Sequence, residues 1–102
     1  MQSLISNTQR NNLSVECPNW HLLPTRDALQ QSFVFKNFKD AFSCMSEIAV
    51  VAEELNHHPE WFNVWNRLEV TLSTHDSGGL TLKDIQLAQA INLICQKKLT
   101  EV

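Results

Sequence analysis

Glu53-Glu54-Leu55-Asn56-His57-His58-Pro59-Glu60-Trp61 is the stretch on which the reading of this chain turns. Pro59 disfavours helical geometry at His58, so a helix entering this stretch must end near Asn56 to His58. Two of the chain's four histidines therefore stand side by side at a break between elements. A break lets adjacent side chains turn towards one pocket.

Upstream, apolar residues fall at Phe38, Ala41, Phe42, Met45, Ile48, Ala49, Ala52 and Leu55. That three-and-four spacing marks one helical face. Asn37 can cap the free amides of the first turn, and Asp40 suits the positive end of the helix dipole. Downstream, Phe62 to Trp65 and Leu68 to Thr74 read as a hairpin with Asn66 and Arg67 in its turn. Leu68, Val70 and Leu72 alternate with Glu69, Thr71 and Ser73, so one face of that strand is buried and one is wet.

Further out, Pro18 and Pro24 bracket Asn19 to Leu23, which favours a short edge strand. Leu29 to Phe35 ends in Phe33, Val34 and Phe35 and reads as its hairpin partner. Gly78 and Gly79 break the fourth strand. Thr81 then caps a last helix running to about Lys98, with Asp84 placed as in a capping box. Ile85, Ala88, Ile91 and Cys95 form one stripe on that helix; Leu87, Ala90 and Ile94 form another. One stripe can face the sheet, and the second suggests a subunit interface. The order β-β-α-β-β-α predicts an α+β domain: a four-stranded antiparallel sheet with two main helices packed on one face.

With 102 residues, the chain has room for one modest core. The boundaries expected are 1–17 for an N-terminal arm and 18–99 for the folded domain. The arm is polar and reads as mobile, with a short helix as the alternative. A formal charge of -3 without a basic block argues against direct binding to nucleic acid. No apolar run is long enough for a bilayer, and the first residues lack the core of a signal peptide. Cys17, Cys44 and Cys95 are widely spaced, which suits reduced thiols in a cytoplasmic protein.

Five groups carry the chemistry. His57, His58 and His75 supply imidazoles, which can give or take a proton near neutral pH. Glu53 lies one helical turn before His57 and is expected to hydrogen-bond it. Asp84 arrives from the start of the last helix. Taken singly, Glu53 reads equally well as a solvated helix residue, Asp84 as a cap, and Trp61 and Trp65 as core or interface. HExxH and CxxC spacings are absent, so no metal is expected. Asp76-Ser77-Gly78-Gly79 looks superficially like a protease nucleophile loop, but the chain is too short for such a two-barrel fold.

The pattern Glu53-x3-His57-His58-Pro59-x5-Trp65-x9-His75-x8-Asp84 resembles the signature of the pterin-4a-carbinolamine dehydratase family. The runs His57 to Val64 and Leu72 to His75 strengthen the match. The resemblance covers the chain from about Trp20 through the last helix, and it leaves the N-terminal arm uncovered. Trp65 stands where the family often has tyrosine, keeping the ring and losing the hydroxyl.

The resemblance implies four antiparallel strands backed by helices, in a homodimer or homotetramer. It implies a hydro-lyase that removes water from 4a-hydroxytetrahydropterin to give quinonoid dihydropterin, in pterin recycling, with no metal or organic cofactor. By the same resemblance His57, His58 and His75 line the pterin site. His57 and His75 are expected to exchange protons with the substrate while His58 orients it. Glu53, Asp84, Pro59, Trp61 and Trp65 would bind or support. The alternative function is a protein-binding module, because animal members of the family also stabilise a dimeric transcription factor.

Overall fold

The structure, a computed structural model, describes residues 2–100. Two short helices, α1 (Asn7–Asn11) and α2 (Leu13–Glu16), lead into strands β1 (His21–Leu22) and β2 (Leu29–Val34). Helix α3 (Phe38–Leu55) follows, then β3 (Glu60–Val64) and β4 (Arg67–Leu72). A single 3-10 turn, His75–Ser77, precedes helix α4 (Leu82–Thr100). The strands form one antiparallel sheet in the order β1-β2-β4-β3. Both expected hairpins are present, joined through β2 and β4.

Register decides which side chains face the helices. Leu29 pairs with Leu72, Gln31 with Val70 and Phe33 with Leu68, so these share the inner face. Leu68, Val70 and Leu72 are completely buried there. Each such side chain contributes about 1.5–3 kcal/mol relative to exposure. They share one core cluster with Ala41, Cys44 and Ile48 of α3, and with Ile85, Leu87, Ala88, Ile91 and Cys95 of α4. The outer face carries Val34, Phe62 and Val64, all exposed.

Several local expectations are corrected. The buried face of α3 is rotated from the one the spacing suggested: Phe38, Phe42 and Ala49 are exposed, with Phe38 and Phe42 packed on each other at 5.8 Å. Both stripes of α4 are largely consumed inside the fold, because this helix packs on α3 as well as on the sheet; Leu87 is fully buried and Ile94 half-buried. An uncovered apolar ridge lies on α3, and α4 keeps Leu82, Leu93 and Leu99 exposed. The loop between β3 and β4 is Trp65-Asn66, since Val64 pairs with Arg67. Trp65 takes the positive φ of 49°, and Asn66 instead donates its side-chain amide to the Phe35 carbonyl.

The N-terminal arm, expected to be mobile, is docked. Ser6 and Gln9 form a reciprocal capping box on α1. Ile5 and Leu13 are buried, and the Ile5 N–H donates to the Leu80 carbonyl at 2.9 Å. Arg10 places a guanidinium fork on Asp27 at 2.6 and 2.7 Å. That contact holds the Asp27 carboxyl below the usual carboxylate range, and the Leu80 N–H adds to the effect against the opposing pull of burial.

Candidate active site

Helix α3 ends in a Schellman motif. Asn56 adopts the left-handed conformation (φ 50°, ψ 46°), and its N–H reaches back to Glu53 O, while the His57 N–H reaches Ala52 O. The chain reverses direction at that point, and Pro59 keeps it extended into β3. This geometry separates the two neighbouring histidines: His57 turns inwards and is nearly buried, while His58 stays on the surface.

His57 meets Asp84. Its Nε2 lies 2.5 Å from Asp84 Oδ1. Asp84 is fully buried at the first turn of α4. Its Oδ2 accepts from the Thr81 N–H at 2.9 Å and from the Thr74 hydroxyl at 2.8 Å. Thr74 spends its one proton on Asp84, so Thr81 is the donor in the 2.7 Å contact between the two hydroxyls. A carboxylate without exposure is tolerated only when its lone pairs are filled in this way. Asp84 is thus both the expected cap and the partner of His57.

Glu53 pairs with His58, not with His57 as helical spacing suggested: its Oε2 contacts His58 Nε2. The i,i+4 rule holds only while the helix continues, and it stops at Leu55. His75 opens the 3-10 turn and is exposed; its Nε2 lies 2.8 Å from Glu60 Oε2. All three imidazoles therefore present Nε2 to a carboxylate and keep Nδ1 for another partner. Thr74, bonded to Asp84, is followed directly by His75, and Glu60 lies two residues beyond His58. One hydrogen-bonded and covalent network thus ties together the ends of α3 and β4 and the starts of β3 and α4.

Two residues of this network were missed from sequence. Glu60 accepts both arms of the Arg26 guanidinium at 2.8 Å, besides His75. Arg26 foremost, and His75 after it, hold the Glu60 carboxyl down at about 2. Glu60 lay within the quoted stretch, but its partners come from the β1–β2 loop and from beyond β4. Pro59 is half-buried between His58 and Glu60. Trp61 flanks the cluster on the inner side of β3, at 36% exposure. Trp65 does not join it: it stands at the far end of β3, roughly 15 Å along a strand rising about 3.3 Å per residue.

Burial pushes the Cys17 thiol up to about 11, with Glu16 adding to the shift, and burial also raises Cys44. Neither suits a nucleophile at neutral pH. No grouping of three or more His, Cys, Asp or Glu side chains fit to hold a metal occurs among the described residues. Nor, among them, is any helix long and apolar enough to cross a membrane. A cleft of about 750 Å³ lies between α2, β2 and α4, lined by Pro18, Phe33, Asn92 and Leu93 among others, and none of the three clustered histidines lines it.

Comparison with known proteins places this chain in a family. The model described as "Pterin 4 alpha carbinolamine dehydratase" matches residues 3–94. The chain belongs to the pterin 4 alpha carbinolamine dehydratase family. The match takes in the docked N-terminal helices as well as the domain core, so the family likeness reaches further than the motif residues alone suggested. A relative from Burkholderia vietnamiensis, named "Putative pterin-4-alpha-carbinolamine dehydratase", is 56% identical over 78 residues, covering 76% of each chain. A relative with the same name from Burkholderia multivorans is 48% identical over 90 residues, 88% of each. Among solved structures, the "transcriptional coactivator/pterin dehydratase" of Brucella melitensis superposes with a TM-score of 0.87 at 40% identity. That alignment covers 91% of this chain and 99% of the other. A pterin dehydratase-like RuBisCO assembly factor of the alpha-carboxysome shares the fold, with a TM-score of 0.66 at 16% identity.

Proposed function

We propose that this member of the family is a working dehydratase: it removes water from a 4a-hydroxytetrahydropterin and releases quinonoid dihydropterin. The observation that carries the reading is the gathering of three imidazoles, each with a carboxylate on Nε2, at one meeting point of four elements. A protein that served only as a scaffold would have no need of this arrangement.

The reaction breaks the C4a–O bond and removes the proton from N5. One group must protonate the departing hydroxyl, and another must accept the N5 proton. Exposure divides the roles. The His58 and His75 side chains are 57% and 68% exposed and can reach a substrate, whereas His57 is 10% exposed and clamped by buried Asp84. We infer from this that His58 and His75 exchange protons while His57 binds and orients, which exchanges the roles expected of His57 and His58 from the sequence. Carboxylates on the far nitrogens hold the rings in orientation. Trp61 lies on the opposite face of β3 from Glu60.

The test is a time course on freshly generated 4a-hydroxytetrahydropterin, following quinonoid dihydropterin by absorbance. Acceleration by the intact protein over the spontaneous reaction is expected, with a loss of about 100-fold or more in His75→Ala. A folded protein that gives no acceleration would overturn the reading.

A second reading, protein binding, has its own support: Phe38 and Phe42 form an exposed aromatic ridge on α3, and the Brucella melitensis relative is titled a transcriptional coactivator as well as a pterin dehydratase. Phe42→Glu should abolish such binding and spare dehydration; His75→Ala should do the reverse.

A further inference from the structure

We propose that Glu60 is a positioning residue that fixes the tautomer of His75, with Arg26 holding Glu60 in place, so that Nδ1 of His75 is the atom that takes the substrate proton. The chemical consequence rests on the dehydratase reading; the tautomer does not.

Three separate elements meet here. Glu60 opens β3, Arg26 comes from the loop between β1 and β2, and His75 begins the 3-10 turn after β4. The Arg26 fork meets both Glu60 oxygens at 2.8 Å, a planar bidentate geometry that fixes the carboxylate plane. Oε2 then has a defined direction towards His75 Nε2, also at 2.8 Å. The loop that carries Arg26 is itself anchored, since the next residue, Asp27, is held by Arg10 and by the Leu80 N–H.

An ionised carboxylate only accepts, so the ring nitrogen facing it must carry the hydrogen. In neutral His75 that leaves the lone pair on Nδ1. The constraint matters because the His75 side chain is 68% exposed, and a free imidazole there would rotate and sample both tautomers. With Glu60 in place, the Nδ1 lone pair takes the N5 proton while the Nε2 hydrogen stays on Glu60. The C4a–O bond breaks, the oxygen takes a proton from the His58 imidazolium, and water leaves. His75 ends protonated and His58 neutral, and exchange with solvent restores both.

The experiment uses the full chain with 15N-labelled imidazoles, intact and as Glu60→Gln, Glu60→Asp and Arg26→Met, at a pH where the rings are neutral. Long-range 1H–15N spectra report the tautomer. Intact protein should hold His75 with hydrogen on Nε2. In Glu60→Gln, Arg26 competes for the amide oxygen and the amide NH2 turns towards the ring, so Nδ1–H should gain population. The kcat for dehydration should fall about tenfold with KM within about twofold, and Glu60→Asp should recover part of the loss. Arg26→Met should show a smaller effect of the same kind. A His75 tautomer unchanged in folded Glu60→Gln, or a kcat within about twofold of intact protein, would overturn the proposal. If intact protein lacks dehydratase activity, the function reading falls and the spectra alone decide the role of Glu60.

Discussion

Asp84 has no solvent exposure and serves three elements at once: the first turn of α4, the Thr74 hydroxyl after β4, and the His57 ring at the exit of α3. Asp84→Asn keeps the shape but replaces one acceptor oxygen by an NH2 group that must face a donor. Hydrogen bonds to charged groups contribute about 1.5–3 kcal/mol, so the variant should lose about 2 kcal/mol in urea denaturation. A loss under about 0.5 kcal/mol would mean that Asp84 does not anchor the site. Trp65 offers the opposite case, with φ at +49° and 64% exposure. Trp65→Asn relaxes the backbone without emptying a core and should gain about 0.5–1 kcal/mol; destabilisation would show that the ring packs on something this conformation does not display. The spacing of His57, His58, His75 and Asp84 was legible in the sequence. The partners were not: Glu53 goes to His58 because the Schellman turn ends helical periodicity, and Glu60 gains its role from Arg26, 34 residues earlier.

Elements were legible wherever periodicity was long. Helix α3 and the alternation in β4 lie where the pattern put them. The rotation of α3 was not readable, because apolar residues extend past both margins of its buried stripe, and only the position of α4 decides which margin is covered. The docked N-terminal segment escaped notice because Leu4-Ile5 and Leu13 form no helical periodicity and α1 is held by a capping box and one ion pair. That ion pair gives a pH prediction. Asp27 has a depressed folded carboxyl pKa, so its contribution to stability is present above the ordinary aspartate value of about 3.9 and is lost as pH falls through the folded value. Arg10→Met should lower stability at pH 7 and flatten the acid limb below about pH 4, measured by urea titrations across pH; an unchanged limb would remove the pair from the account. Gly79 belongs to the same anchor. A Cβ there would sit 2.2 Å from Asp27 Oδ2, so Gly79→Ala should displace Asp27 from Arg10 and Leu80 at a cost of about 1–3 kcal/mol.

At the scale of the molecule, the helices cover one face of the sheet and leave an apolar ridge on α3 and a half-apolar outer face with Phe62 and Val64 exposed. An apolar ridge of this kind is what a homodimer or homotetramer would bury. Sedimentation should show an assembly that Phe42→Glu shifts to smaller species; identical sedimentation of the two proteins would move the interface elsewhere. The contacts of His57 with Asp84, His58 with Glu53 and His75 with Glu60 all lie within a single chain. The most direct test is the dehydration kcat of folded His58→Ala/His75→Ala, measured beside His21→Ala, which lies outside the network. The double variant should fall to the spontaneous rate while His21→Ala keeps the intact value. A double variant that retains more than about a tenth of the intact kcat would contradict proton exchange by these two imidazoles.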